Sequence, residues 1–198
     1  MSRTRSLHPS LALLRRCALP LVAAAGLAVA CSEEPPAPVS GPVENAELAL
    51  TVAALPDDCS VQRNEGRDLV LACASRRGTT GEVLFQVGTE GETVDLPALA
   101  RGQKEAFEAM PEGKFHGNRE LVTPTGPAYT ARGRYVEEGR ALEEIRVLAL
   151  HPANESLLVV RSRYPEGDES AKRMEQLLLI VGEVQAPGAA PAASAAAS

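Results

Sequence analysis

The sequence predicts an α+β fold: an antiparallel sheet of six to seven strands with helices packed on both faces. Three observations lead to it. Residues 128–136 alternate Tyr129, Ala131, Gly133 and Tyr135 with Thr130, Arg132 and Arg134, the period of a half-buried strand. The two strands that follow, 141–150 and 156–164, carry apolar residues on both faces, so each face needs a cover. Two amphipathic segments can supply those covers. One runs from Leu96 to Met110, and the other is marked by Met174, Leu177, Leu178 and Val181.

The elements follow in order across a domain spanning 44–185. Leu48, Leu50, Val52 and Ala54 alternate as a first strand, which Pro56-Asp57-Asp58 ends. Residues 60–63 and 68–74 form a hairpin about Asn64-Glu65-Gly66-Arg67. A three-residue loop there sets Gln62 opposite Val70 and Cys59 opposite Cys73. Residues 82–87 make the next strand, between Gly81 and Gly88. Asp95 suits an N-cap and Pro97 a first turn, so a helix begins at Leu96. Its apolar face is Leu96, Leu99, Ala106, Phe107 and Met110, and Pro111-Glu112-Gly113 stops it. Residues 119–123 and 128–136 flank the turn Pro124-Thr125-Gly126-Pro127. Glu137-Glu138-Gly139 suits a three-residue loop with glycine in the left-handed position. That loop places Tyr129 opposite Val147, Ala131 opposite Ile145 and Arg132 opposite Glu144. Beyond the turn at His151–Glu155, Val147 faces Val160, Ala149 faces Leu158, Leu148 faces Val159 and Leu150 faces Leu157. Asp168 or Ser170 caps the closing helix.

The ends of the chain read differently. Arg3, Arg5, Arg15 and Arg16 precede an uncharged run of 14 residues, Cys17–Ala30. A spanning helix needs about 18 or more. A basic flank and a short apolar run with small residues at its end read as an export signal over 1–30; an uncleaved membrane anchor or a buried helix is the competing reading. Leu27-Ala28-Val29-Ala30-Cys31 resembles the lipobox of bacterial lipoproteins, although Ala28 stands where leucine is usual. That resemblance implies that Cys31 is lipidated and becomes the new N-terminus, with ordinary cleavage after Ala30 as the alternative. Ser32, with no aspartate at that position, implies sorting to the outer membrane, facing the periplasm or the cell surface. Residues 31–43 then form a Pro-rich tether, and 186–198 an Ala/Pro/Ser tail with nothing large to bury.

Four of the 20 Lys and Arg residues lie in 1–30 and none of the 26 Asp and Glu residues does, so 31–198 carries 16 basic and 26 acidic side chains, net −10. That charge speaks against nucleic acid and anionic lipid headgroups as partners. The partners implied are the membrane, through the anchor, and a protein. Cys17 leaves with the signal, which leaves Cys59 and Cys73 to form a disulfide in an oxidising compartment; free buried thiols are the alternative.

Chemistry is sparse. His116 and His151 sit beside turn signals and read as solvated loop residues. No HExxH, GxSxG or P-loop occurs, so no catalytic residue, cofactor or metal is expected. Glu143 and Glu144 are adjacent in a strand and point to opposite faces, so they cannot form a proton-sharing dyad. In the registers above, Arg132, Arg134, Arg146, Arg161 and Arg163 share one face. Arg146 and Arg161 fall directly opposite, which is unfavourable unless something negative intervenes. Either Glu144 and helix carboxylates such as Glu105 or Glu108 compensate them, or the arginines form a site for an anion or an acidic partner.

The second half carries Gly126 and Tyr129 opening a strand, Arg134-Tyr135 closing it, then Val147-Leu148-Ala149-Leu150-His151, Val159-Val160, Tyr164-Pro165 and a Leu-rich helix. Together with the order of elements over 45–184, this resembles the PsbP-like fold. An extrinsic photosystem II subunit, a Ran-binding import factor and several bacterial lipoproteins share that fold. The resemblance implies a non-enzymatic binding or accessory domain on a membrane anchor. An exported enzyme, or an anion-binding protein using the arginine face, is the alternative.

Overall fold

The structure, a computed structural model, describes residues 41–189. The expected signal, Cys31, the tether up to Ser40 and the tail from Ala190 lie outside the described residues.

A seven-stranded antiparallel sheet forms the centre, in the order β3 (Cys59–Glu65), β4 (Asp68–Ala74), β5 (Thr80–Val87), β9 (Leu157–Pro165), β8 (Arg140–Leu150), β7 (Gly126–Glu137), β6 (Lys114–Thr123). Helix α1 (Leu96–Glu108) lies on one face, over β6, β7 and β8. Helix α2 (Ser170–Gly182) lies on the other. A second sheet joins α2 in the same core. It has three short strands in the order β1 (Val43–Asn45), β2 (Leu50–Val52), β10 (Val184–Gln185). The α+β class and the two covered faces are as the sequence predicts.

The α2 side holds the main core: Val83, Phe85, Ile145, Val147, Leu158 and Val160 from the sheet against Leu177, Ile180 and Val181 from α2, with Leu50 and Val52 from β2. On the other side α1 buries Leu96 and Ala100 against Leu148, and Phe107 against Ala131 and Tyr135. Asp95 caps α1 as expected, accepting from the Ala98 amide at 2.9 Å. Asp168 does not cap α2 through its first-turn amides. It accepts from the Glu169 amide and holds Arg173. The apolar stripe of α2 is also rotated from its expected phase. Arg173, Gln176, Leu177, Ile180 and Val181 are buried, and Leu178 is exposed.

The first strand of the sequence reading lies in the small sheet, broken at Ala49, which adopts φ 51°. Val43, assigned to the tether, begins β1 and is buried. The β3–β4 hairpin closes with two loop residues, Gly66-Arg67, because Glu65 pairs with Asp68. Gln62 therefore does not face Val70. It is the extra residue of a bulge between Val61 and Arg63, and that bulge restores the Cys59–Cys73 pairing. Those two cysteines form a disulfide, closing a loop with a sequence separation of 14. Loop-entropy arguments assign such a crosslink about 3 kcal/mol.

The β7–β8 hairpin also closes with two residues where three were expected. Glu137 pairs with Arg140, and Glu138 and Gly139 take φ 51° and 75°. The pairing is thus displaced by one residue: Tyr129 faces Leu148, Ala131 faces Arg146, Arg132 faces Ile145 and Gly133 faces Glu144. The β8–β9 register is the expected one throughout, Val147 with Val160 and Leu148 with Val159 included.

Candidate functional site

A one-residue shift turns every side chain of a strand to the other face. Arg132 and Arg134 accordingly leave the expected five-arginine face. Both lie on the α2 side of the sheet, where Arg132 is exposed and Arg134 pairs with Glu166. Arg146, Arg161 and Arg163 stay together on the α1 side, with Arg146 directly opposite Arg161.

The negative charge between them is Glu144, two residues before Arg146 on β8 and wholly buried. Its Oε1 accepts from Arg146 Nε at 2.5 Å and Arg161 Nε at 3.0 Å. Its Oε2 accepts from Arg161 Nη2 and from the Tyr135 hydroxyl, each at 2.8 Å. Burial pushes the carboxyl up, but the hydrogen bonds and charges of Arg161 and Arg146 outweigh it and hold Glu144 below the usual carboxylate range. Burial and the neighbouring Glu144 charge push the Tyr135 hydroxyl up to about 12. From α1 comes an amide in place of the expected Glu105 or Glu108: Gln103 Oε1 accepts from Arg146 Nη1 at 2.9 Å. Phe107 lies 4.2 Å from the Arg146 guanidinium carbon, ring face on. Gly133 permits this, because a Cβ there would come within 2.4 Å of the Phe107 ring. Arg163 pairs separately, with Glu82 at 2.8 Å and Glu137 at 3.2 Å, and its buried Nε has no partner among the described residues.

Because α1 lies over β6–β8, it leaves a groove of about 230 Å³ along β8 and β9. Leu148, Leu157, Val159 and Gln86 line the sheet side, and Leu99 and Gln103 of α1 with Met110 just past its end line the other. Arg146 and Arg161 line its charged end.

A second polar cluster escapes sequence reasoning. Arg173 of α2, 1% exposed, donates to both the Asp168 carboxylate and the Cys73 carbonyl, the latter at 2.5 Å. It thereby ties α2 to the end of the disulfide hairpin, and Gln176 adds a bond to the Ala74 carbonyl at 2.9 Å. The available signal was the phase of Leu177, Ile180 and Val181, which places Arg173 and Gln176 on the same stripe. His151, expected in solvent, is instead 1% exposed. Its Nε2 lies 3.0 Å from the Leu48 carbonyl oxygen, and its Nδ1 accepts from the Ala153 amide at 3.2 Å. His116 falls where the β6–β7 register shifts, between Phe115 and Gly117.

Among the described residues no three His, Cys, Asp or Glu side chains are grouped to hold a metal, and no helix is long and apolar enough to cross a membrane.

With this architecture in view, solved structures of similar fold can be set beside it. The chain is similar in fold to LpqN, involved in cell envelope biogenesis of Mycobacterium tuberculosis. The match has a TM-score of 0.51 over 73% of this chain and 88% of LpqN, at 12% identity, so the likeness is one of fold. No protein-family model matches the sequence, and no curated protein does.

Proposed function

We propose that the protein is a lipid-anchored, non-catalytic binding module of a bacterial cell envelope, exported by residues 1–30 and held at the outer membrane through Cys31. The lipobox-like run Leu27–Cys31 supports the anchor. The PsbP-like pattern of the second half and the fold shared with LpqN support an accessory envelope role.

The observation that carries the binding reading is the groove beside α1, whose charged lining residues, Arg146 and Arg161, are both bonded to the buried Glu144. General acid–base work needs a group whose pKa lies near the operating pH. Glu144 is held ionised by two guanidiniums, and the Tyr135 hydroxyl is held protonated. An apolar trough ending on fixed positive charge suits recognition better than proton transfer.

Fractionation of cells producing the wild-type chain and Cys31→Ala tests the anchor. Wild type should extract from membranes with diacylglyceryl mass at residue 31, and the variant should be released or mislocalised. An unmodified Cys31 N-terminus in the exported protein would defeat the proposal.

A further inference from the structure

We infer that the groove between α1 and β9 receives a single-chain amphiphile with a carboxylate head, its chain over Leu148, Leu157 and Val159 and its head on Arg146 and Arg161. This rests on the binding-module reading and names the ligand class of the same groove.

Donor accounting supplies the first reason. Glu144 is already filled: four donors reach its two oxygens. Arg161 spends Nε and Nη2 on it, and Arg146 spends Nε on it and Nη1 on Gln103. Nη2 of Arg146 and Nη1 of Arg161 have no partner among the described residues. Two guanidiniums over one carboxylate leave one net positive charge at the end of the groove, on a sequence whose residues 31–198 sum to −10. A carboxylate matches both the surplus charge and the two unspent donors, since guanidinium N–H groups bond carboxylates with directional, charge-assisted geometry.

The shape supplies the second. Away from the arginines, the sheet side of the groove is apolar except for Gln86 on β5: Leu148 faces Val159, and Leu157 follows one step beyond on β9. At about 230 Å³ the cavity falls below the range of about 300–1,000 Å³ usual for drug-sized ligands, which suits one chain better than a two-chain lipid. Leu99 on α1, 36% exposed, closes the helix side with no other buried role.

Titration calorimetry on the full chain carrying Cys31→Ala, which needs no detergent, tests this with three probes: laurate, n-dodecyl maltoside and acetate. Laurate should bind saturably, the uncharged dodecyl chain at least about tenfold more weakly, and acetate without saturation. Leu99→Asp and Val159→Asp each place a negative charge in the groove and should weaken laurate at least about tenfold, while Arg161→Lys keeps most of the affinity. Leu99 is exposed enough for its variant to fold, and the unfolding midpoint is measured alongside. Equal binding of the uncharged chain overturns the carboxylate head, and saturable binding of acetate overturns the need for a chain. Laurate binding that is absent, or unchanged in both Asp variants, overturns the groove as the site. None of these outcomes alters the membrane extraction of wild type, so the anchored-module reading stands or falls separately.

Discussion

Replacing Glu144 by glutamine keeps the shape of the side chain and removes the charge on which Arg146 and Arg161 both depend. In wild type, two guanidiniums that pair directly across β8 and β9 share this one wholly buried carboxylate. At an effective dielectric near 20, each close ion pair carries about 4 kcal/mol of gross attraction. Much of that offsets the cost of burying the carboxylate, and the neutral variant is spared this cost. What remains is two uncompensated guanidiniums facing each other, and an amide NH2 that turns one acceptor into a donor. Breaking a buried ion pair on one side costs about 3–5 kcal/mol. The arginine side chains retain 10% and 19% exposure, so water screens them in part and the lower end, about 3 kcal/mol, is expected. For a domain of this size that corresponds to a fall in Tm of roughly 6–12 °C.

The assay is urea unfolding of wild type, Glu144→Gln and the triple variant Glu144→Leu, Arg146→Met, Arg161→Met. The single variant should lose stability at unchanged m-value, and the triple should regain most of the loss, because apolar replacement of a whole buried ionic cluster is often neutral or stabilising. The deficit of Glu144→Gln should also depend on pH. The folded pKa of Glu144 lies below its unfolded value of 4.5, so its contribution is complete above 4.5 and is lost as pH falls through the folded value. A loss under about 1 kcal/mol, or a triple variant no better than the single, would refute the assignment of Glu144 as the internal counter-ion.

Two further expectations concern packing and protonation. Gly133→Ala should cost about 1–3 kcal/mol by driving a methyl into Phe107, whereas Gly102→Ala, exposed in α1 with nothing within 4 Å of its Cβ position, should gain about 0.5–1 kcal/mol; urea midpoints decide both, and equal effects would contradict the Phe107 contact. Burial holds His151 below its unfolded value of 6.5, so at higher pH the ring is neutral in both states, and as pH falls below 6.5 the unfolded chain takes up the proton first. Stability should therefore decline from pH 7 towards pH 5, and His151→Gln should flatten that slope; an unchanged slope would assign the effect to other groups.

The legible parts of the fold were those with strong local periodicity. The alternation in 128–136, the Asp95-capped helix and the both-face apolar character of β8 and β9 were enough to set the class, the covers and the β8–β9 register. The small sheet was not legible, because β1 and β10 are three and two residues long and pair only through β2. The phase of α2 is not legible because Arg173 and Gln176 are polar residues on a buried stripe. Their partners, the Cys73 and Ala74 carbonyls, are about a hundred residues away in sequence. His151 is hidden for the same reason, since the carbonyl beside it belongs to Leu48.

The candidate site turned on loop length. The sequence suggests a three-residue loop for each hairpin, and both close with two. In the first, the bulge at Gln62 restores the register before Cys59, so Cys59 still meets Cys73 and the disulfide forms with the shorter turn. In the second, no bulge intervenes between Glu137 and Tyr129, so the shift persists and Arg132 and Arg134 move to the opposite face. Glu138 is the cause: a two-residue turn with both positions at positive φ ordinarily has Asn or Asp before the glycine, and glutamate gives no such signal. The consequence is chemical. Five arginines on one face would have needed more negative charge than Glu144 alone supplies, from helix carboxylates or from an external anion. Three arginines set against Glu144, Glu82 and Glu137 are balanced internally, so the face folds without a ligand. What it offers a partner is then set by the local surplus at Arg146 and Arg161, where two guanidiniums share one saturated carboxylate at the end of an apolar trough.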